Sequence, residues 1–182
     1  MKTSVLIIEC RDKAEDPGSE GWFIKHMLDL MDVANEIQPA RSKARFLELL
    51  SSPAADSEVV HIATHGRIKV TPKGKPDKFM GFWTPDEQNV TVEEIAAAGI
   101  DLSGKVVIST ACLSGQRGAR AAFKSATGCK HYIAPIRGPD FHNAALMCHI
   151  FYHKRFVLKR SVKRAFSEYR DRYRNPHKFC FL

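Results

Sequence analysis

Two short segments carry the residue types of nucleophilic catalysis. In Val59-Val60-His61-Ile62-Ala63-Thr64-His65-Gly66, a histidine and a glycine stand just beyond an apolar, β-branched run. In Val106-Val107-Ile108-Ser109-Thr110-Ala111-Cys112-Leu113-Ser114-Gly115, a cysteine stands in the corresponding place. A thiol with a pKa of ~8.5 is mostly protonated near neutrality, and an adjacent imidazole can take its proton or stabilise the thiolate. Acyl transfer to such a thiolate passes through an oxyanion, which needs preorganised N–H donors. Gly66 suits that task because a glycine backbone lets a substrate come close, and the backbone N–H of Cys112 can be the second donor. With His65 as general base and Cys112 as nucleophile, the pair could perform this chemistry once the two segments meet.

The elements that must bring them together follow from periodicity. Ser4 to Glu9, Glu58 to Thr64, Lys105 to Thr110 and His131 to Ile136 are short apolar runs, the pattern of strands buried on both faces. Glu36 to Pro39 is a further short strand, confined by Pro39 to an edge or an end. A polar turn at 16–21 leads to Trp22, Phe23, Met27, Leu30 and Met31 at helical spacing. Ser42 caps a helix carrying Phe46, Leu47, Leu49 and Leu50, which stops near Pro53. Thr91 opens a capping box with Glu94 on a short helix closed at Gly99. Helices are also expected over 118–127, 141–156 and 161–173, and a small hairpin around Lys78 to Trp83 lies over one edge. Continuous apolar strands alternating with helices predict one α/β domain over residues 1–182, a three-layer sandwich on a mostly parallel sheet of about six strands. Active sites of such sheets lie at the carboxyl ends of strands. If the strands at 58–64 and 105–110 are neighbours, imidazole and thiol project into one cleft.

The two segments together resemble the His and Cys motifs of CHAT domains, relatives of caspases, separases and gingipains. The resemblance continues through Gly128-Cys129-Lys130-His131-Tyr132-Ile133-Ala134-Pro135-Ile136, into Phe151-Tyr152 and Ser161-Val162-Lys163-Arg164-Ala165-Phe166, and is clearest from about residue 58 to 170. It implies a caspase-haemoglobinase-like (clan CD) sandwich and a cysteine peptidase with His65 as base and Cys112 as nucleophile. Cys112 lies 47 positions after His65, close to the ~50 of caspases. Thr110 precedes Ala111 where caspases carry Gln, and Gly115 comes one residue later than their glycine, so cleavage after aspartate is not implied. In the family, residues flanking the catalytic strand and the next one line the pocket for the side chain before the cut. That nominates Thr110, Asp140 and Arg137 as substrate-binding residues. Asp140 falls near the acidic pocket residue of arginine-cleaving relatives and would favour Arg or Lys; it could equally N-cap the helix starting at Phe141. Arg137 offers the reverse, a cation for an acidic side chain. The family further implies bacterial stress or antiviral defence, and control by a separate regulatory protein or sensor. A catalytically silent adaptor that signals by binding is the alternative within the same fold.

Other residues have plainer readings. His61 is expected as a hydrogen-bonded core histidine behind His65, Cys10, Cys129 and Cys148 as packing residues, and Cys180 as a surface or tail thiol. His142 and His149, seven apart on one helix, lack a third metal ligand, and no metal or cofactor is expected. The five cysteines are an odd number without a CxxC pair, which reads as free thiols of a reducing compartment. Met1 to Ile8 holds too few apolar residues for a secretory signal, and no run suffices for a membrane span, so a cytoplasmic protein is expected. The net charge of +8 is concentrated between His153 and Lys178, where the acidic residues are Glu168 and Asp171. Such a tail could attract nucleic acid, yet it carries no nucleic-acid-binding signature, and a solvated helix face is the expectation.

Overall fold

A computed structural model describes residues 4–10, 19–51, 57–72, 77–173 and 178–182. In chain order these form β1 (Val5–Glu9), α1 (Glu20–Leu30), β2 (Asn35–Pro39), α2 (Lys43–Ser51) and β3 (Val59–Ala63). Then come β4 (Gly66–Lys69), β5 (Lys78–Trp83), β6 (Asn89–Val90), α3 (Val92–Ala97), β7 (Val106–Ser109) and α4 (Arg117–Thr127). The chain continues with β8 (His131–Pro135), α5 (Phe141–Tyr152), a π-helical turn (His153–Val157), α6 (Val162–Tyr173) and β9 (Phe179–Phe181).

The apolar runs make the middle of a six-stranded sheet in the order β2-β1-β3-β7-β8-β9. All neighbours are parallel except β9, which runs antiparallel to β8. The runs are continuous because both faces are covered. Leu6, Ile8, Val60, Ile62, Val107, Tyr132 and Ala134 pack on one side with Phe46 and Leu49 of α2, Ile95 of α3 and Phe123 of α4. Their alternates Val5, Ile7, Val59, Val106, Ile108 and Ile133 pack on the other with Ile24 and Leu28 of α1, Met147 and Phe151 of α5, and Phe166 of α6. With side chains alternating between faces, each strand therefore feeds two cores. Helices on both faces of a mostly parallel sheet give an α/β fold with a three-layer arrangement. No helix among the described residues is long and apolar enough to cross a membrane.

The caps follow the sequence. Thr91 and Glu94 form the reciprocal capping box of α3, the Ser42 hydroxyl accepts from the N–H of Arg45 at 3.3 Å, and Pro39 ends an edge strand. Three features differ from expectation. The hairpin is a three-stranded antiparallel sheet, β4-β5-β6, because Asn89 and Val90 add a two-residue strand to β5. The helix over 141–156 ends as an α-helix at Tyr152 and widens into the π-helical turn. A sixth strand comes from Phe179–Phe181, a segment too short to show a period. The turn at 16–18, Pro53 and Arg174 lie outside the described residues.

Candidate functional site

β3 and β7 are direct parallel neighbours, with Ile62 opposite Ser109. Three residues further along each chain stand His65 and Cys112, so the strand register aligns imidazole and thiol at the carboxyl edge of the sheet. Beyond β3, Thr64 is fixed by a hydrogen bond from its hydroxyl to the Trp83 carbonyl at 2.6 Å. The Trp83 N–H donates to the His65 carbonyl at 2.9 Å, and the indole meets the imidazole edge to face with centroids 6.0 Å apart. The small antiparallel sheet thus positions His65. Beyond β7, the chain turns sharply over Ala111 to Ser114. The Ser114 hydroxyl donates to the Ala111 carbonyl at 2.7 Å, and the Ser109 hydroxyl accepts the Ala111 N–H at 3.2 Å. Leu113, next to the nucleophile, takes a left-handed conformation with φ 64°. A non-glycine residue rarely adopts it, and such strain is held only where surrounding structure enforces it.

Gly66 is needed for a reason the sequence did not suggest. A Cβ there would run into the Cys112 carbonyl oxygen and lie 3.1 Å from the Cys112 backbone nitrogen. The glycine therefore lets the two strand ends close on each other. Gly138 covers the other side, where a Cβ would stand 3.3 Å from the Cys112 sulfur. Burial raises the Cys112 thiol pKa; the backbone N–H groups of Cys112 and Gly66 lie toward the sulfur and pull it down; the charges of Glu20 and Asp140 push it up. The net effect on the Cys112 thiol is upward, with the two N–H groups opposing it.

The cleft over the sulfur has a volume of about 140 Å³ and is lined by Glu20, Thr64, His65, Thr110, Cys112 and Phe141, among others. Glu20 was not singled out from the sequence. It opens α1, whose start is tied to the end of β1: the Glu9 carboxylate accepts from the Ser19 hydroxyl at 2.6 Å and from the Gly21 N–H at 2.5 Å. Gly21 has no room for a Cβ against that carboxylate. This anchor turns Glu20 inward, where it is 6% exposed. Its Oε1 has no hydrogen-bond partner and lies 3.6 Å from His61 Nε2. A serine and a glutamate opening a helix were visible in the sequence, but nothing local tied them to the cleft.

His61 is fully buried, as expected for a core histidine, and its Nδ1 is 2.8 Å from the Tyr152 hydroxyl. Glu20, His61 and Cys148 form a buried group whose potential ligand atoms all lie within 4.8 Å of one another. They could hold a metal through Oε1, Nε2 and Sγ, but burial raises the Cys148 thiol pKa well above the ordinary value, so ligation would first require an expensive deprotonation.

Among the nominated specificity residues, Thr110 lines the cleft and is anchored through its hydroxyl to the Ile62 carbonyl at 3.3 Å. Asp140 and Arg137 are exposed and are not among the cleft-lining residues. Asp140 occupies the N-cap position of α5 without a side-chain cap; its carboxylate accepts from Asn143 at 3.4 Å. Cys10, Cys129 and Cys148 are buried as expected. Cys180 is a correction, because it is buried in β9 with its thiol 3.2 Å from the Ala134 carbonyl. Cys112 alone among the five keeps partial exposure. No protein-family model matches the chain, and no curated protein matches it either.

Proposed function

We propose that this protein is a cysteine peptidase of the caspase-like, CHAT-domain kind, cleaving a protein substrate after a basic residue. The observation that carries the reading is the β3–β7 register, which sets His65 and Cys112 in one cleft with the N–H groups of Gly66 and Cys112 directed at the sulfur. In this reading His65 takes the thiol proton as the sulfur attacks the scissile carbonyl carbon. The carbonyl oxygen becomes an oxyanion held by the Gly66 and Cys112 N–H groups. The imidazolium then gives its proton to the leaving amine, the C–N bond breaks, and a thioester remains on Cys112. Water, deprotonated by His65, attacks the thioester, and the acid product leaves as the thiol is restored. The basic preference rests on Glu20. Its buried, unpartnered Oε1 beside the cleft would gain from a guanidinium or ammonium, whereas an acidic side chain would be repelled.

The test uses purified protein, fluorogenic peptides with Arg, Lys, Leu or Asp before the cut, and an arginyl chloromethyl ketone. Expected are faster cleavage of the Arg and Lys peptides and a covalent mass increase located at Cys112, both lost in Cys112→Ala and His65→Ala. If the ketone labels His65→Ala as fast as wild type, or no peptide is cut with candidate partner proteins present, the peptidase reading fails.

A further inference from the structure

A second concavity lies at the opposite end of the sheet. It has a volume of about 560 Å³, within the roughly 300–1,000 Å³ of small-molecule sites. Val106 and His131, the first residues of β7 and β8, form its floor, whereas His65 and Cys112 stand beyond the last residues of β3 and β7. Lys130, Arg155, Lys159, Arg160 and Lys163 surround it, and Glu58 is the one carboxylate among the lining residues. Glu58 is already neutralised, accepting from Arg155 Nε at 3.0 Å and from Arg155 Nη2. Among the described residues, Lys130, Lys159 and Lys163 make no ion pair.

The backbone has been shaped to gather these cations. The π-helical turn His153–Val157 presents Arg155, and such turns recur at functional sites. Lys159 follows in a left-handed conformation, φ 52°, which ends the helix there and turns the chain toward Arg160. Arg160 Nε is buried without a hydrogen-bond partner, its nearest Glu168 oxygen 3.8 Å away. Ser161, capping the N–H of Arg164 at 3.3 Å, then opens α6 at the rim. The first-turn N–H groups of Val162 and Lys163 have no intrahelical acceptor and sit at the positive end of the helix dipole.

A concave site with surplus cations, an orphaned guanidinium N–H and a helix N-terminus is complementary to a compact, multiply charged anion. We propose that this cleft binds a soluble phosphate-rich small molecule, from inorganic polyphosphate to a nucleoside triphosphate. The cleft's volume, within the range of small-molecule sites, suits such a ligand. The inference is independent of the peptidase reading, since binding needs neither His65 nor Cys112.

Calorimetric titration of the full chain with inorganic triphosphate and, in parallel, with ATP tests it at low salt. Saturable one-to-one binding is expected, weakened by added salt and retained in Cys112→Ala. Lys159→Gln and Lys163→Gln should each weaken it roughly tenfold or more, as for loss of a charged hydrogen bond, while Lys25→Gln on α1 leaves it unchanged. Equal affinities for the two probes assign recognition to phosphate alone; tighter ATP binding adds a contact to the nucleoside, and both support the site. Lys159 and Lys163 are exposed, and melting curves verify that each variant is folded. Absence of saturable binding at millimolar probe, or equal binding by the lysine variants and wild type, overturns the proposal. So does binding that falls for Arg170→Gln and Arg172→Gln instead, because that would assign affinity to the outer face of α6.

Discussion

Gly66→Ala is the sharpest test of how the strand ends are assembled. The new Cβ would overlap the Cys112 carbonyl oxygen and stand 3.1 Å from both the Cys112 backbone carbon and nitrogen. Ordinary carbon contacts begin near 3.5 Å, so the two backbones must separate by about 0.4 Å at those atoms, and by more at the oxygen. The obstacle is backbone, which no side-chain rotation relieves. Gly66 has no left-handed φ, so conformational strain adds nothing and the whole effect is steric. Overpacking of this kind costs about 1–3 kcal/mol, which in a chain of this size lowers the melting temperature by roughly 2–4 °C per kcal/mol. The same separation draws the Gly66 N–H away from the sulfur, removing one of the two groups that pull the thiol pKa down. Alkylation of Cys112 by iodoacetamide, followed by mass spectrometry across pH, reads that change without interference from the four buried thiols. Gly66→Ala should melt earlier and react with a midpoint shifted to higher pH. An unchanged melting temperature together with an unchanged alkylation profile would refute the close-packing argument.

Stability should fall in alkali. Burial raises the pKa of the Cys10, Cys129 and Cys148 thiols and pushes Tyr169 up to about 12, so above about pH 8.5 the unfolded chain releases protons the fold retains. Each fully buried thiol then contributes a loss of up to about 1.4 kcal/mol per pH unit, and a melting temperature that stays level from pH 8.5 to 10.5 would contradict the burial. Glu9→Ala leaves the Ser19 hydroxyl and Gly21 N–H without their acceptor, and chemical denaturation should show a loss of about 1–3 kcal/mol. Glu20→Gln should lower kcat/KM for Arg and Lys peptides by roughly tenfold or more with little effect on a Leu peptide. Equal losses on all three would make Glu20 a structural residue only.

What the sequence revealed about the site divides along the distance of the contacts involved. His65 and Cys112 were legible because each ends an apolar run, and parallel pairing of those runs is a matter of register. The caps at Ser42 and Thr91 were legible because their partners lie three residues away. Glu20 was hidden because its inward orientation depends on Glu9, which stands at the end of a different element. Asp140 had the right charge and neighbourhood, but α5 begins so that Pro139 and Phe141 face the cleft instead. Cys180 looked like a tail thiol because a three-residue strand has no period to read; only pairing with β8 makes it core. Gly66 makes a close approach to the backbone of Cys112, 46 residues further along the chain, which no local pattern could name.

The electrostatics of Cys112 bear on how such a site would be kept quiet. Burial is the largest influence on the thiol, and it acts with the carboxylates of Glu20 and Asp140 to hold the proton on sulfur; two backbone N–H groups oppose them. An enzyme that stores a thiolate–imidazolium pair reacts with any electrophile that diffuses in. A protonated thiol must instead lose its proton during attack, so its reactivity depends on what else occupies the cleft. A cation placed beside Glu20 would offset the carboxylate's field at the sulfur, lowering the thiol pKa while presenting the carbonyl next to it. On the proposed reading, the residue that selects a basic side chain is also one of those that restrain the nucleophile until that side chain arrives. Selectivity and part of the restraint then share one carboxylate, while burial supplies the larger part of the restraint.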